Sequence, residues 1–312
     1  MIVCQLDQTE HESLEALHKY LQFKLKVKQE TYYTQFPKRD LCTGEPIPFK
    51  LPAERYLQAE FRNKNNLKRY LKERPVEGKT WAVHWLFRRK EQKGLVYPPS
   101  QVELRSLMCP SALYYDHVGG YNAICNQLGY TVRYDGTLPA AGPADFTVIV
   151  DTREQDPLHL SVPITRAKLT CGDYGLTPER DKGVYIERKS LPDFVGTLSD
   201  RGGANSNLAR FTRELERVVE TNGYLIMLVE SSLTDALSFS YLPHMSHCRV
   251  KEEHIFKNLR DLLVRFPLHF QALFVAGRTE AKAAVPRLLQ AGEAVKRTDL
   301  QLAYEKGELT FG

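Results

Sequence analysis

Residues 172–193 read GDYGLTPERDKGVYIERKSLPD, and five of their charged side chains have a spacing that could do chemistry. Asp173 follows a glycine, Glu187, Arg188 and Lys189 stand together, and Asp193 comes four residues after the lysine. The run 184–189, rich in β-branched and aromatic residues after the turn Asp181-Lys182-Gly183, reads as a strand. Alternation puts Tyr185, Glu187 and Lys189 on one face and Val184, Ile186 and Arg188 on the other. A carboxylate and an ammonium at a strand end, joined by the Asp173 carboxylate, suit a metal-dependent hydrolase. Carboxylate oxygens hold a hard divalent cation, Mg²⁺ or Mn²⁺. Such a cation makes a nucleophile of water and neutralises charge on a phosphate. The lysine orients the water or binds the phosphate. Glu-x-Lys is also the spacing of a surface ion pair on an edge strand, so the surrounding elements must decide.

Those elements alternate. A buried-type strand over 146–150 delivers Asp151-Thr152-Arg153-Glu154. A second strand over 164–170 leads into Gly172-Asp173, and the strand carrying Glu187 comes next. Three successive strands thus aim Asp151 and Glu154, Asp173, and Glu187 with Lys189 at one place. A short helix (191–198), a polar loop (199–207) and a helix (208–221) with Arg210, Arg213, Glu214 and Arg217 follow. An apolar strand (224–229) ends at Glu230. A helix (251–266), a strand (270–276) and a helix (280–291) complete an α/β order, which predicts a central sheet flanked by helices.

This half resembles the XPF-type structure-specific nuclease domain of the PD-(D/E)XK superfamily. That signature is Gly-Asp, a gap, then Glu-Arg-Lys-x-x-x-Asp, matched by Gly172-Asp173 and by residues 187–193. The upstream V-D-x-R-E stands at 150–154, and the helix R-x-x-R-E-L at 210–215. The resemblance spans about 146–292 and implies a restriction-endonuclease-like mixed sheet. It makes Asp173 and Glu187 metal ligands, with Asp151 a further ligand and Glu154 an acidic support. Lys189 becomes the water-orienting or phosphate-binding group. Arg188 and Asp193 belong to the signature, Asp193 positioning the next helix or Lys189. Arg153, Arg210 and Arg213 are implied at the DNA backbone, on double-stranded or branched DNA. A homodimer through this domain is implied too, with no nucleotide cofactor. Family members usually add a tandem helix-hairpin-helix domain. About twenty residues follow Ala291, so the DNA-holding role is expected of the front half.

The front half is basic. Residues 1–142 hold 21 Lys and Arg against 15 Asp and Glu, a balance of +6. Residues 143–312 hold 22 against 23, a balance of −1, so the two sum to the chain's +5. The pattern predicts a helix over 7–22, a lysine-faced strand over 23–28, a loop over 34–52, and helices from 53 to before Pro75 and over 77–93. Between 61 and 93 stand 11 Lys and Arg against 3 Asp and Glu, interleaved with aromatics. Lys64, Lys68, Arg69, Arg88 and Arg89 are therefore candidate phosphate contacts, and a solvated helical face is the alternative. Gly78-Lys79-Thr80 is no P-loop, because Glu73 stands where that motif needs glycine. Residues 98–130 predict three short helices over 100–108, 110–117 and 121–128. They resemble the helical repeat beside homing endonucleases in Pro110-Ser111, Tyr114-Tyr115, Gly120-Tyr121-Asn122-Ala123 and Leu128-Gly129. That resemblance implies a helix-turn-helix-like DNA-binding unit, and a plain packing unit is the alternative. The Pro- and Ala-rich run 137–145 marks a boundary, giving a mainly helical region (1–142) and a nuclease domain (143–312).

No apolar run is long enough for a membrane span, and the start shows no signal peptide. The six cysteines form no C-x-x-C, so reduced thiols and a cytoplasmic, or in a prokaryote nucleoid-associated, location are expected. His244, His247, Cys248 and His254 read as a loop that contains histidines rather than a zinc site. The sequence thus predicts a metal-dependent DNA endonuclease of repair, recombination or mobile-element processing. A non-catalytic DNA-binding scaffold and a nuclease acting on RNA are the rivals.

Overall fold

The computed structural model describes residues 2–3, 10–11, 86, 89–90, 93–107, 111–142, 145–180, 183–199, 206–245 and 248–311. The elements predicted over 23–74, most of that over 77–93, Arg201 and His247 lie outside the described residues. The chain divides into two compact units, 1–98 with 107–132, and 99–106 with 133–312.

In the first unit, β1 (Ile2–Val3) pairs antiparallel with β2 (Glu10–His11). The helix predicted over 7–22 is therefore wrong at Glu10 and His11, where ladder pairing overrides the helical spacing. A 3₁₀ helix spans Ala112–Val118 and α2 spans Tyr121–Gln127. Ser111 caps the former by accepting from the Leu113 N–H. The intervening Gly119 and Gly120 take φ of 101° and 95°, a region that suits glycine. Tyr115 is buried and meets Tyr121 edge-on at 5.1 Å between centroids.

The second unit is a six-stranded mixed sheet in the order β4-β3-β5-β6-β7-β8. Its strands are β3 (Val148–Asp151), β4 (Ile164–Ala167), β5 (Tyr174–Leu176), β6 (Val184–Lys189), β7 (Tyr224–Val229) and β8 (Phe270–Phe274). β3 runs parallel to β4 and antiparallel to β5, and β5 runs antiparallel to β6. From β6 through β7 to β8 the pairing is parallel. Every residue of β7 is buried, as a parallel strand covered on both faces requires. Leu225, Met227 and Val229 pack with α3 (Leu191–Leu198), α4 (Asn207–Glu220) and α6 (Glu252–Arg265). Tyr224, Ile226 and Leu228 pack on the other face with α7 (Arg278–Ala291) and α8 (Leu300–Lys306).

Two features differ from the sequence reading. β4 does not deliver Asp173, because it lies at the sheet edge beyond β3, and the three-residue β5 begins just after Asp173. Beyond Ala291, α8 covers the outer edge of β8, where the Gln301 side-chain oxygen Oε1 accepts the Phe274 N–H at 2.9 Å. The helix α1 (Gln101–Ser106) belongs to this unit although it precedes 107–132. Asp299 accepts the Gln101 N–H at 2.7 Å, and Arg105 pairs with Glu305 at 2.7 Å. Among the described residues, no helix is long and apolar enough to cross a membrane.

Candidate active site

Asp173 is fixed from three sides. Its N–H donates to the Ile186 carbonyl at 2.8 Å and its own carbonyl accepts the Asp151 N–H at 2.8 Å. Its carboxylate accepts the Arg188 N–H at 2.8 Å. The preceding Gly172 has φ of +68°, and a Cβ there would meet the Ile186 carbonyl oxygen at 2.9 Å. Glycine is thus required by conformation and by the closeness of β6.

Strand alternation carries β6 to the site as the sequence predicts. Val184 and Ile186 enter the core on the α7 side, and Tyr185 packs on the α4 side. Glu187 and Lys189 continue the Tyr185 face, and the Lys189 ammonium donates to Glu187 Oε1 at 2.5 Å. Glu187 is buried. Burial raises the pKa of both Asp173 and Glu187, and further charge adds to it: Glu154 and Glu214 for Asp173, Asp173 and Glu214 for Glu187. Lys189 opposes both shifts. Burial disfavours the Lys189 charge, but Glu187, Asp173 and Glu214 outweigh it and raise its pKa. The result is a half-buried and a buried carboxyl group with one ammonium beside them.

Arg188 points the other way. Its guanidinium bridges Glu154 and Glu230, each at 3.1 Å, and also donates to the Asp156 carbonyl at 3.1 Å. Arg278 adds a contact to Glu230 at 3.6 Å and an ion pair with Asp156 at 3.0 Å. Glu154 is therefore held in an ion cluster, and also accepts the Asp156 N–H at 2.8 Å.

Asp151, expected as a further metal ligand, is committed elsewhere. Oδ1 accepts Arg153 Nε at 2.6 Å and the Arg153 N–H at 2.9 Å, while Oδ2 accepts the Leu169 N–H at 2.6 Å. Burial would raise its pKa, but these donors outweigh burial and lower it to about 2. Its role here is to fix Arg153, whose side chain remains 60% exposed and feels Glu214 and Glu187. Ser190 caps α3: its Oγ accepts the Asp193 N–H at 3.2 Å, and the Asp193 carboxylate in the first turn accepts the Ser190 hydroxyl at 2.6 Å.

Arg210 and Arg213 are exposed on α4. Lys64, Lys68, Arg69 and Arg88 lie outside the described residues, and Arg89 is half-buried. Lys90, from the same basic window, donates to the carbonyls of Leu128 at 2.9 Å and Gly129 at 2.6 Å, closing the end of α2. At least this one lysine serves the fold. Among the described residues, which leave out His247, no group of three or more His, Cys, Asp or Glu is placed to hold a metal.

The sequence reading missed Glu214. It accepts the Gly172 N–H at 2.9 Å and acts on Asp173, Glu187 and Lys189 through its charge. A signal was present, because Phe211, Leu215 and Val218 form the buried stripe of α4 and Glu214 flanks it. Cys171, the residue before Gly172, is no nucleophile, since burial and then Glu214 push its thiol up to about 11.

No curated protein matches the chain. Residues 150–280 match the family model of the ERCC4 domain, which takes in Asp151, Asp173, Glu187 to Lys189, Glu214 and Glu230. That family is one of nucleases acting generally on DNA structures in repair, with inactive members among them. Over residues 150–280 the second unit is thus similar to the ERCC4 domain, consistent with the XPF-type nuclease domain that its Gly-Asp and Glu-Arg-Lys motifs imply.

Proposed function

We propose that the chain is a divalent-cation-dependent DNA endonuclease whose centre is Asp173, Glu187 and Lys189. The observation that carries this reading is the half-buried Asp173 carboxylate beside the buried Glu187, with, among the described residues, the ammonium of Lys189 paired to Glu187. An enzyme that bound no cation would have no use for that juxtaposition. The donor set fits Mg²⁺ or Mn²⁺. Such ions take one or two carboxylates and keep water and substrate oxygens, so a protein-only cage of three or more acids is not needed. Asp173 and Glu187 would hold the cation, which when bound activates water and neutralises phosphate charge.

The chain's own groups do the rest. Arg188 N–H and the Ile186 carbonyl keep Asp173 from swinging away. Glu187 holds the Lys189 ammonium at the strand end, where it orients the attacking water or contacts the scissile phosphate. Arg153, braced by Asp151, offers its exposed edge to a phosphate oxygen. Arg210 and Arg213 meet the DNA backbone from α4. The basic first unit holds the duplex, and the domain works as a homodimer. Asp151 and Glu154 support the site as an arginine brace and as an acid next to Asp173.

The test uses the full chain with labelled linear, flapped, forked and supercoiled DNA, and matching RNA, in Mg²⁺, Mn²⁺ or EDTA. Cation-dependent DNA cleavage that is lost in Lys189→Ala is expected. Cleavage that survives EDTA contradicts the cation, cleavage of RNA alone contradicts the substrate, and binding without any cleavage favours a scaffold.

A further inference from the structure

Asp173 belongs to a turn, and turns need anchors. Its own backbone is anchored by β3 and β6. The residue before it, Gly172, is anchored by a side chain from another element: Glu214 Oε1 accepts the Gly172 N–H at 2.9 Å. These residues are 42 apart in sequence, so α4 reaches across to the turn. Phe211, Leu215 and Val218 are buried on α4, which locks the rotation of the helix and therefore the position of Glu214. Among the described residues Glu214 makes no ion pair.

We infer that Glu214 is a positioning residue for the cation centre, holding the Gly172–Asp173 turn through one oxygen and lending its negative charge to Asp173 and Glu187. The inference rests on the proposed reading of that centre. A neutral amide could accept the Gly172 N–H equally well. A carboxylate instead adds a third negative charge to a half-buried place, which is unfavourable until a cation arrives. Groups that support ligands without touching the ion commonly change metal affinity by about 10–100-fold. Two roles are thus combined in one side chain, and two substitutions separate them. Glu214→Gln keeps the acceptor and removes the charge. Glu214→Ala removes both.

The experiment compares the full-length wild type with both variants by three readouts: hydrogen exchange at the Gly172 amide, Mn²⁺ binding by calorimetry, and kcat against KM on cleavable DNA. The expected result for Glu214→Gln is a protected Gly172 amide, Mn²⁺ binding weaker by about 10-fold, and kcat within about 3-fold at saturating Mn²⁺. Glu214→Ala should lose the protection at Gly172 while the rest of the sheet keeps it. Its kcat should fall about 100-fold with KM little changed, as expected for a misplaced ligand. Unchanged Mn²⁺ binding in Glu214→Gln overturns the electrostatic role. Unchanged Gly172 exchange in Glu214→Ala overturns the positioning role. A uniform loss of protection across the sheet in Glu214→Ala also overturns it, reducing Glu214 to a packing residue. If the wild type binds Mn²⁺ but cleaves nothing, the nuclease reading fails while the exchange and binding readouts still decide the role of Glu214.

Discussion

The two faces of β6 carry the same kinds of residue and settle their charges in opposite ways. On the α7 side, Glu154 and Glu230 meet the Arg188 guanidinium, and Arg278 adds a second cation to Glu230. On the α4 side, Asp173, Glu187 and Glu214 converge with Lys189, and Arg153 nearby is already bound to Asp151. The first cluster is close to neutral and internally hydrogen-bonded. The second has more carboxylates than cations, and Asp173 and Glu187 in it have raised pKa values. A fold that needed only rigidity would balance both faces, as the Arg188 side does. The imbalance beside Glu187 marks where stability has been given up for ligand binding.

The largest effect is expected on the balanced side. Arg188→Ala leaves Glu154 and Glu230 in place with their shared partner gone. Removing one member of a buried pair costs about 3–5 kcal/mol. Thermal melting should show a large drop, and a drop under one degree would break the comparison. Lys189→Ala should act chiefly on activity. It should cut DNA cleavage about 10²–10³-fold, as for loss of one group that stabilises transition-state charge, with a smaller melting drop than Arg188→Ala because one ion pair is lost rather than two. Loss of activity only in step with unfolding would count against a catalytic Lys189.

Much of this contrast was legible in the sequence. Period-two alternation assigned Glu187 and Lys189 to one face and Arg188 to the other, and the ion pairs follow that division. The apolar run 224–229 is the strand β7, buried along its whole length. What escaped depended on contacts distant in the chain. β5 has three residues, too few to show a period. Glu214 meets Gly172 only because the hydrophobic stripe of α4 fixes the helix rotation. Asp151 is the opposite case: its bond to the Arg153 N–H two residues on is a local aspartate turn, and the spacing Asp-x-Arg could have been read that way. The composition of the second unit was also hidden, since α1 joins it through Asp299 and Glu305, 198 and 200 residues away.

Two smaller tests sharpen the comparison by disturbing backbone alone. Gly172→Ala forces a side chain into a positive φ and against the Ile186 carbonyl. A cost of about 1–3 kcal/mol is expected, with cation binding weakened because Asp173 shifts. Chemical denaturation and Mn²⁺ titration would measure both, and equal stability with unaltered binding would contradict the close packing. Ser190→Ala removes the cap of α3 and should cost about 1 kcal/mol with no more than a small loss of cleavage. A loss as large as that of Lys189→Ala would mean that Asp193 does more than hold the helix.

The account stands or falls on which face of β6 takes a cation. Calorimetric titration of Mn²⁺ into the wild type, Asp173→Asn and Glu230→Gln decides it. Asp173→Asn keeps an acceptor for the Arg188 N–H and removes one charge of the unbalanced pair. Binding should be abolished in Asp173→Asn and retained in Glu230→Gln. Retention in Asp173→Asn, or loss in Glu230→Gln alone, would place the cation on the other face and contradict the assigned centre.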